Sequence, residues 1–138
     1  MTKLRVLLID DEEDFLDVMS VRIRSWGYEV ITADSAKEAM AVIKIGSLDE
    51  KPDVVILDYL MPEVDGVKLL KQIRAFDKDI PAIMFTAYPD ARAIAGTQKL
   101  RVFAFIPKFG VYCDAGVMLR TALRMVEKNI RKQKQERP

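Results

Sequence analysis

Short apolar runs alternate with stretches of helical periodicity along the whole chain. The apolar runs predict five β-strands, at residues 5–9, 28–33, 54–57, 81–85 and 102–106. The second run is the weakest of them, because Glu29 and Thr32 interrupt it. Several of the others are apolar at almost every position, which is typical of parallel strands that are covered on both faces of their sheet.

Between and after these runs, apolar residues recur every three or four positions and predict five α-helices. Ser35 followed by Glu38 has the pattern of a capping box at the start of the second helix. The third helix is predicted to begin at Gly66 and the fifth near Asp114, while the fourth, at residues 90–100, has few large apolar side chains. The predicted inward-facing residues are Leu16, Met19, Ile23 and Trp26; Ala36, Ala39, Met40 and Ile43; Leu69, Ile73 and Phe76; and Leu119, Ala122, Val126 and Ile130.

This alternation of strands and helices predicts one doubly wound α/β domain, in which helices cover both faces of a parallel sheet. The chain has 138 residues, a usual size for one domain, and shows no internal repeat. We expect the domain to occupy residues 1–127. Residues 128–138 are basic and are predicted to be either a solvated helix end and tail or a truncated linker.

The composition of the chain and its first residues limit the partners, the localisation and the site chemistry to be expected. The net charge is +1, so nothing global predicts binding to nucleic acid or to a membrane surface. The first residues lack the features of a signal peptide, and we expect a cytoplasmic protein. There is one cysteine, Cys113, and no histidine, which leaves no intrachain disulfide and no histidine-based triad or metal site.

Polar side chains follow four of the predicted strands at the point where each strand ends. Asp10 and Asp11 follow the first, Asp58 the third, Thr86 the fourth, and Lys108 lies just beyond the fifth. Taken singly, each has an ordinary structural interpretation, as a helix cap, a turn residue or a solvated charge. Because ligands of open α/β sheets bind beyond the carboxyl ends of the strands, the five residues together indicate a site.

The residue types in this set favour one kind of chemistry. Three neighbouring carboxylates repel one another and need a divalent cation, and carboxylate oxygens suit Mg²⁺. The Lys108 ammonium and the Thr86 hydroxyl suit phosphoryl oxygens. Carboxylate, cation, hydroxyl and ammonium together describe phosphoryl transfer onto an aspartate.

Four segments of the chain resemble the signature segments of the receiver domain of bacterial two-component response regulators. They are "LLIDDEEDF", "VVILDYLMPEVDG", "IMFTAY" and "FAFIPKF", and the resemblance extends from about residue 4 to residue 122. It implies a flavodoxin-like (βα)5 three-layer sandwich with strand order 2-1-3-4-5. It also implies a phosphorylation-controlled switch, and not an enzyme acting on an external substrate.

The resemblance assigns a role to individual residues. Asp58 becomes the phosphoryl acceptor, and Mg²⁺ is held by Asp10, Asp11, Asp58 and the backbone carbonyl of Leu60. Thr86 and Lys108 bind the phosphoryl oxygens. The switch residues fall on Phe105 and on Ala87, and the positions that tune dephosphorylation on Leu60 and Tyr88.

The same resemblance implies the partners. The phosphoryl group is expected from a sensor histidine kinase or a phosphotransfer protein, and the signal passes to an output domain or a downstream protein that the sequence does not identify. A phosphorylation-dependent dimer is a further possibility. No direct contact of this chain with nucleic acid is expected.

The chain departs from the family pattern in the stretch before the fifth strand, which has Arg101, Val102 and Ala104 where the family usually has Gly-Ala, and at two single positions. Phe109 follows Lys108 where the family usually has proline, and Phe105 replaces the frequent tyrosine. Two alternative functions stay open. One is a pseudo-receiver that binds partners without phosphorylation; the other is an aspartyl-phosphate phosphohydrolase, which Leu60 disfavours because such enzymes carry a second carboxylate there.

Overall fold

The computed structural model describes residues 3–45, 50–59, 61, 64–87, 91–108 and 114–136. Within these residues five strands alternate with five helices. The strands are β1 (Arg5–Ile9), β2 (Glu29–Ala33), β3 (Val54–Leu57), β4 (Ala82–Thr86) and β5 (Ala104–Pro107). The helices are α1 (Glu13–Ser25), α2 (Ala36–Ile43), α3 (Gly66–Phe76), α4 (Ala91–Lys99) and α5 (Ala115–Glu136).

The strands form one parallel sheet in the order β2-β1-β3-β4-β5. The predicted doubly wound fold and its strand order are therefore confirmed. β1 lies between β2 and β3, and Ile9 at its end is in register with Leu57 at the end of β3. Because all strands run in the same direction, the residues that follow β1, β3, β4 and β5 meet at one edge of the sheet.

Helices cover both faces of the sheet and produce two apolar cores. Successive side chains of a strand point to opposite faces, so Val6 and Leu8 of β1 join the core beneath α1 and α5. Leu7 and Ile9 join the core beneath α2 and α3. This arrangement explains why the central runs are apolar at every position rather than at alternate ones.

Side-chain caps define the start of three helices. The predicted capping residue Ser35 accepts a hydrogen bond from the backbone N–H of Glu38 at 3.2 Å. Asp65 caps α3 by accepting from the N–H of Lys68 at 2.8 Å. Asp114 caps α5 by accepting from the N–H groups two and three residues further on, at 2.9 and 3.2 Å. Each cap satisfies donors that the first helical turn leaves without an intrahelical partner.

The fifth strand begins two residues later than the hydrophobic pattern predicts. The N–H of Val102 donates to the carbonyl of Thr97 at 3.2 Å, so this residue belongs to the turn that ends α4. Arg101, next to it, has a φ of 57°, in the left-handed region that ends many helices. Val102, the first apolar residue of the predicted strand, therefore belongs to the turn after α4 and not to β5.

The prediction that Phe76 faces inward is wrong, since its exposed fraction is 51%. Leu70, rather than Phe76, completes the buried face of α3 with Leu69 and Ile73. Leu70 lies one position from Leu69 and three from Ile73, which moves the centre of the buried face away from position 76. Phe76 is left at the edge of that face, beside α2.

The basic C-terminal segment continues α5 as a single helix as far as Glu136. Ile130 packs against the core beneath α1 and α5, and Glu127 accepts a hydrogen bond from the Tyr28 hydroxyl at 3.4 Å. The predicted domain boundary after residue 127 stays a prediction. Among the described residues, no helix combines the length and the hydropathy needed to cross a bilayer.

Candidate functional site

The ends of β1 and β3 bring three carboxylates together. The N–H of Asp58 donates to the carbonyl of Ile9 at 3.2 Å, which aligns the residues that follow the two strands. Carboxylate oxygens of Asp10, Asp11 and Asp58 all lie within 4.8 Å of one another. Asp10 and Asp58 are 1% and 4% exposed, whereas Asp11 is exposed to solvent. The predicted acidic cluster is therefore present, with its third member open to solvent.

Lys108 lies against this cluster although it follows the edge strand β5. Its backbone N–H donates to the carbonyl of Thr86 at 2.7 Å, which fixes the chain where it leaves the sheet. The ammonium donates to Asp58 Oδ2 at 3.1 Å and also to Asp10 Oδ2. Lys108 is 7% exposed, so this is a buried ion triad rather than a surface pair.

The pKa shifts describe a site that is short of positive charge. Burial raises the pKa of the Asp10 carboxyl, and the hydrogen bond and charge of Lys108 offset this only in part. Burial lowers the pKa of the Lys108 ammonium, but the hydrogen bonds and charges of Asp10 and Asp58 outweigh it and leave that pKa raised. Lys108 is thus charged at neutral pH, while ionisation of Asp10 is less favourable than that of an exposed aspartate.

The remaining acceptor capacity fits a divalent cation. Three carboxylates and one ammonium leave an excess of two negative charges at the site (three minus one). Within the part of the chain that the structure describes, Asp58 Oδ1 is buried and accepts no hydrogen bond. Such an atom costs about 1–3 kcal/mol when it lacks a partner. Carboxylate oxygens are ligands that suit Mg²⁺, and one oxygen of this cluster is left without a hydrogen bond from the described residues.

Thr86 and Ala87 occupy the end of the neighbouring strand. Thr86 is the last residue of β4 and is fully buried, and Ala87, directly after it, is half-buried. Phe105 of β5 pairs with Met84 of β4 and is half-buried against the core beneath α2 and α3. The structure therefore places Ala87 at the end of β4, one strand away from Asp58, and Phe105 on β5, two strands away.

Three of the positions singled out in the sequence lie outside the described residues. They are Leu60, Tyr88 and Phe109, so the carbonyl ligand, the dephosphorylation-tuning pair and the departure after Lys108 stay predictions. Cys113 lies outside them as well.

Sequence reasoning missed Phe15, which lies directly beneath the Lys108 ammonium. Lys108 Nζ lies 3.9 Å from the centroid of the Phe15 ring, which itself contacts the Phe85 ring at a centroid distance of 5.7 Å. The ring face attracts the cation and excludes water from the buried ion triad. Phe15 is the third residue of α1 and lies four positions after Asp11, and its closeness in sequence to the predicted acidic site was the available signal.

Gly66 forms the other side of the site. A Cβ atom at this position would lie 2.2 Å from the carbonyl oxygen of Asp58 and 2.9 Å from the Cα of Tyr59. The N–H of Gly66 donates to the carbonyl of Tyr59 at 2.6 Å, so the start of α3 is pressed against the backbone that carries Asp58. Glycine is required here by close backbone approach.

We expect Gly66→Ala to destabilise the fold by about 1–3 kcal/mol, because two backbone segments have to separate to admit the methyl group. The matched control is Gly96→Ala in α4, where the three atoms nearest to an added Cβ all belong to the side chain of Val67, the first of them at 3.0 Å. That change also gains helix propensity. Urea denaturation measures both variants, and equal stability of the two proteins would contradict the assigned role of Gly66.

Comparison with known proteins agrees with this geometry. The family model of the response regulator receiver domain matches residues 6–110. The chain therefore belongs to the response regulator receiver domain family. A probable transcriptional regulator, ycf27, from Guillardia theta is 42% identical over 98 residues, which are 70% of this chain and 37% of that protein. The chain spans 37% of that relative, 51% of the ycf27 protein of Porphyridium aerugineum and 22% of the transcriptional regulatory protein GlrR of Escherichia coli.

Solved structures share the fold over nearly the whole chain. A response regulator receiver domain protein from Clostridium thermocellum superposes with a TM-score of 0.81 at 25% identity, covering 94% of this chain and 98% of that one. The response regulator TrrA from Thermotoga maritima, crystallised in complex with Mg²⁺-BeF, superposes with a TM-score of 0.74 at 26% identity. The alignment covers 89% of this chain and 98% of TrrA.

Proposed function

We propose that this receiver domain is a phosphorylation-controlled switch in which Asp58 accepts a phosphoryl group. The observation that carries the proposal is the state of the Asp58 carboxylate. It is buried at a strand end, with Lys108 bonded to one oxygen, while the other oxygen accepts no hydrogen bond from the described residues. A carboxylate held in this way presents one oxygen in a fixed position to an incoming phosphorus atom.

The side chains of Asp10, Asp11 and Asp58 fit Mg²⁺, and the Leu60 carbonyl completes the proposed set of protein ligands. When bound, Mg²⁺ neutralises the carboxylates and the charge of a phosphoryl group at the same site. Support for this assignment comes from the excess negative charge of the cluster and from the Mg²⁺-BeF complex of the relative TrrA.

The chain's own residues supply the nucleophile and the groups that bind the phosphoryl oxygens. An oxygen of Asp58 attacks the phosphorus of a phosphohistidine on a kinase or phosphotransfer protein. As the O–P bond forms, the P–N bond breaks and its electron pair stays on the imidazole nitrogen. The Lys108 ammonium and the Thr86 hydroxyl then bind phosphoryl oxygens. Lys108 is already at the acceptor, so little side-chain reorganisation is required.

Magnesium is expected to stabilise the protein because it relieves repulsion among the three carboxylates. A ligand at ten times its dissociation constant contributes RT ln 11, about 1.4 kcal/mol, which raises the melting temperature of a domain of this size by about 3–6 °C. Asp11→Asn should shrink that shift, while Asp79→Asn, an exposed change before β4, should leave it intact. Identical melts of the wild-type protein with and without Mg²⁺ would argue against the metal site.

The proposed output surface is formed by α4, β5 and α5. Movement of the Thr86 hydroxyl toward a bound phosphoryl group would vacate space beside Ala87 and let Phe105 turn inward. Burial of the exposed part of one ring contributes about 1–2 kcal/mol, enough to shift a population between two states. Phe105 has no hydroxyl, so this switch acts through packing alone.

Two further assignments belong to the same proposal. Leu60 and Tyr88 would slow hydrolysis of the aspartyl phosphate, because neither offers a carboxylate or an amide to an attacking water.

The altered surface would act on an output domain, on a downstream protein or on a second copy of the chain. The relative from Guillardia theta is named as a transcriptional regulator, which favours an output domain in a longer protein.

Incubation with acetyl phosphate and Mg²⁺ tests the function directly. Intact-mass measurement should show one added phosphoryl group, and EDTA should prevent its addition. A native, folded protein that gains no phosphoryl group from acetyl phosphate or from a phosphorylated kinase domain would favour the pseudo-receiver alternative instead.

A further inference from the structure

A groove of about 720 Å³ runs between the outer flanks of α2 and α3, and its lining includes none of the residues of the acidic site. The α2 wall consists of Ala36, Lys37, Met40, Ala41 and the C-cap residue Lys44, the last four of which are spaced as one stripe of a helix. Ala36 and Met40 are half-buried and the other three are exposed. This wall is therefore an apolar centre with a lysine at each end.

The α3 wall supplies the aromatic residue that the hydrophobic pattern had placed in the core. Gln72, Ala75 and Phe76 line it at helical spacing, and all three are exposed. Phe76 presents about half of its surface to solvent, 51%, and faces the groove alongside Met40. Contiguous exposed apolar side chains between two helices are typical of a surface that receives a third helix.

The positive charge of the groove favours an acidic helix as its occupant. Lys37 and Lys44 are the only charged side chains in the described lining, and both are positive. They lie seven positions apart, at the second residue of α2 and at its C-cap, a separation of about 10.5 Å along the axis. An occupant with two acidic residues at the same spacing can pair with both lysines while its apolar stripe covers Met40 and Phe76.

We propose that the α2–α3 groove binds an acidic amphipathic helix of a partner protein, whose carboxylates seven positions apart flank an apolar stripe. The surface is separate from Asp58 and from the α4–β5–α5 output surface. It gives the domain a docking site that does not require phosphorylation.

The probe is a fluorescein-labelled helical peptide of about 15 residues, with glutamates seven positions apart and an apolar stripe between them. A second peptide carries lysines in place of the glutamates. Fluorescence anisotropy should show binding of the glutamate peptide that weakens as salt is raised. Lys37→Glu/Lys44→Glu should weaken that binding by about tenfold and should instead bind the lysine peptide.

The matched control is Lys128→Glu/Lys132→Glu, which makes the same charge change on exposed positions of α5 and should bind like the wild type. Phe76→Ser should abolish binding without unfolding the protein, because Phe76 lies outside the core. Equal affinity for both peptides, or equal loss in the control, would overturn the proposal. Self-association of the wild type that Phe76→Ser removes would also overturn it, since the occupant would then be a second copy.

Discussion

Asp58→Asn is expected to abolish phosphoryl uptake from acetyl phosphate and to leave the fold intact. An amide oxygen is a far weaker nucleophile than a carboxylate oxygen, yet it keeps the shape of the side chain and can still accept the hydrogen bond from Lys108. Intact mass after incubation with Mg²⁺ and acetyl phosphate measures the effect. The expected change is the complete loss of the adduct.

The stability of the same variant gives a second, independent result. Without Mg²⁺ its melting temperature should equal or exceed that of the wild type, because one of two buried and mutually repelling carboxylates has been neutralised. Asp79→Asn, an exposed aspartate, serves as the control and should take up the phosphoryl group normally. A full-yield adduct on the Asp58→Asn protein would place the acceptor at another residue.

Lys108→Met is expected to be the most destabilising single change at the site. Methionine approximates the length of the lysine stem, but Asp10 and Asp58 lose the cation that both contact. Breaking a buried ion pair from one side costs roughly 3–5 kcal/mol, because a charge is left without compensation. Urea denaturation without Mg²⁺ measures the loss, and Mg²⁺ should restore part of it.

Two comparisons separate charge from packing in this prediction. Lys128→Met on the exposed face of α5 should change stability by no more than about 0.5 kcal/mol. Adding Asp58→Asn to Lys108→Met should recover stability, since it removes one of the two unpaired carboxylates. If Lys108→Met matched Lys128→Met, the buried ammonium would not be holding the acidic cluster together.

Much of this fold can be predicted from the sequence because the central strands are continuous apolar runs. The apolar runs of β1, β3 and β4 are buried on both faces, as is typical of parallel strands covered by helices on both sides. The polar residues beyond them then have to converge at one edge. The carboxylates and Lys108 were predicted on that ground, and the structure brings oxygens of the three carboxylates within 4.8 Å of one another and Lys108 into contact with Asp10 and Asp58.

The remaining differences come from tertiary packing that periodicity does not encode. Phe76 fits the inward spacing of α3, but Leu70 fills the buried face and leaves Phe76 in the groove beside α2. Val102 is as apolar as a strand residue, but its N–H completes the turn after α4. The place of Phe15 beneath Lys108 depends on two segments 93 positions apart (108 minus 15), and no local pattern reports that contact.

Backbone amide shifts measured by NMR, with and without Mg²⁺ and beryllofluoride, test most directly whether Asp58 controls a distant surface. The predicted result is a set of shifts at the acidic site that extends through residues 91–107 and the start of α5. Asp58→Asn should remove the whole set. Shifts confined to the loops around Asp58, with residues 91–107 unchanged, would contradict a switch that acts through α4, β5 and α5.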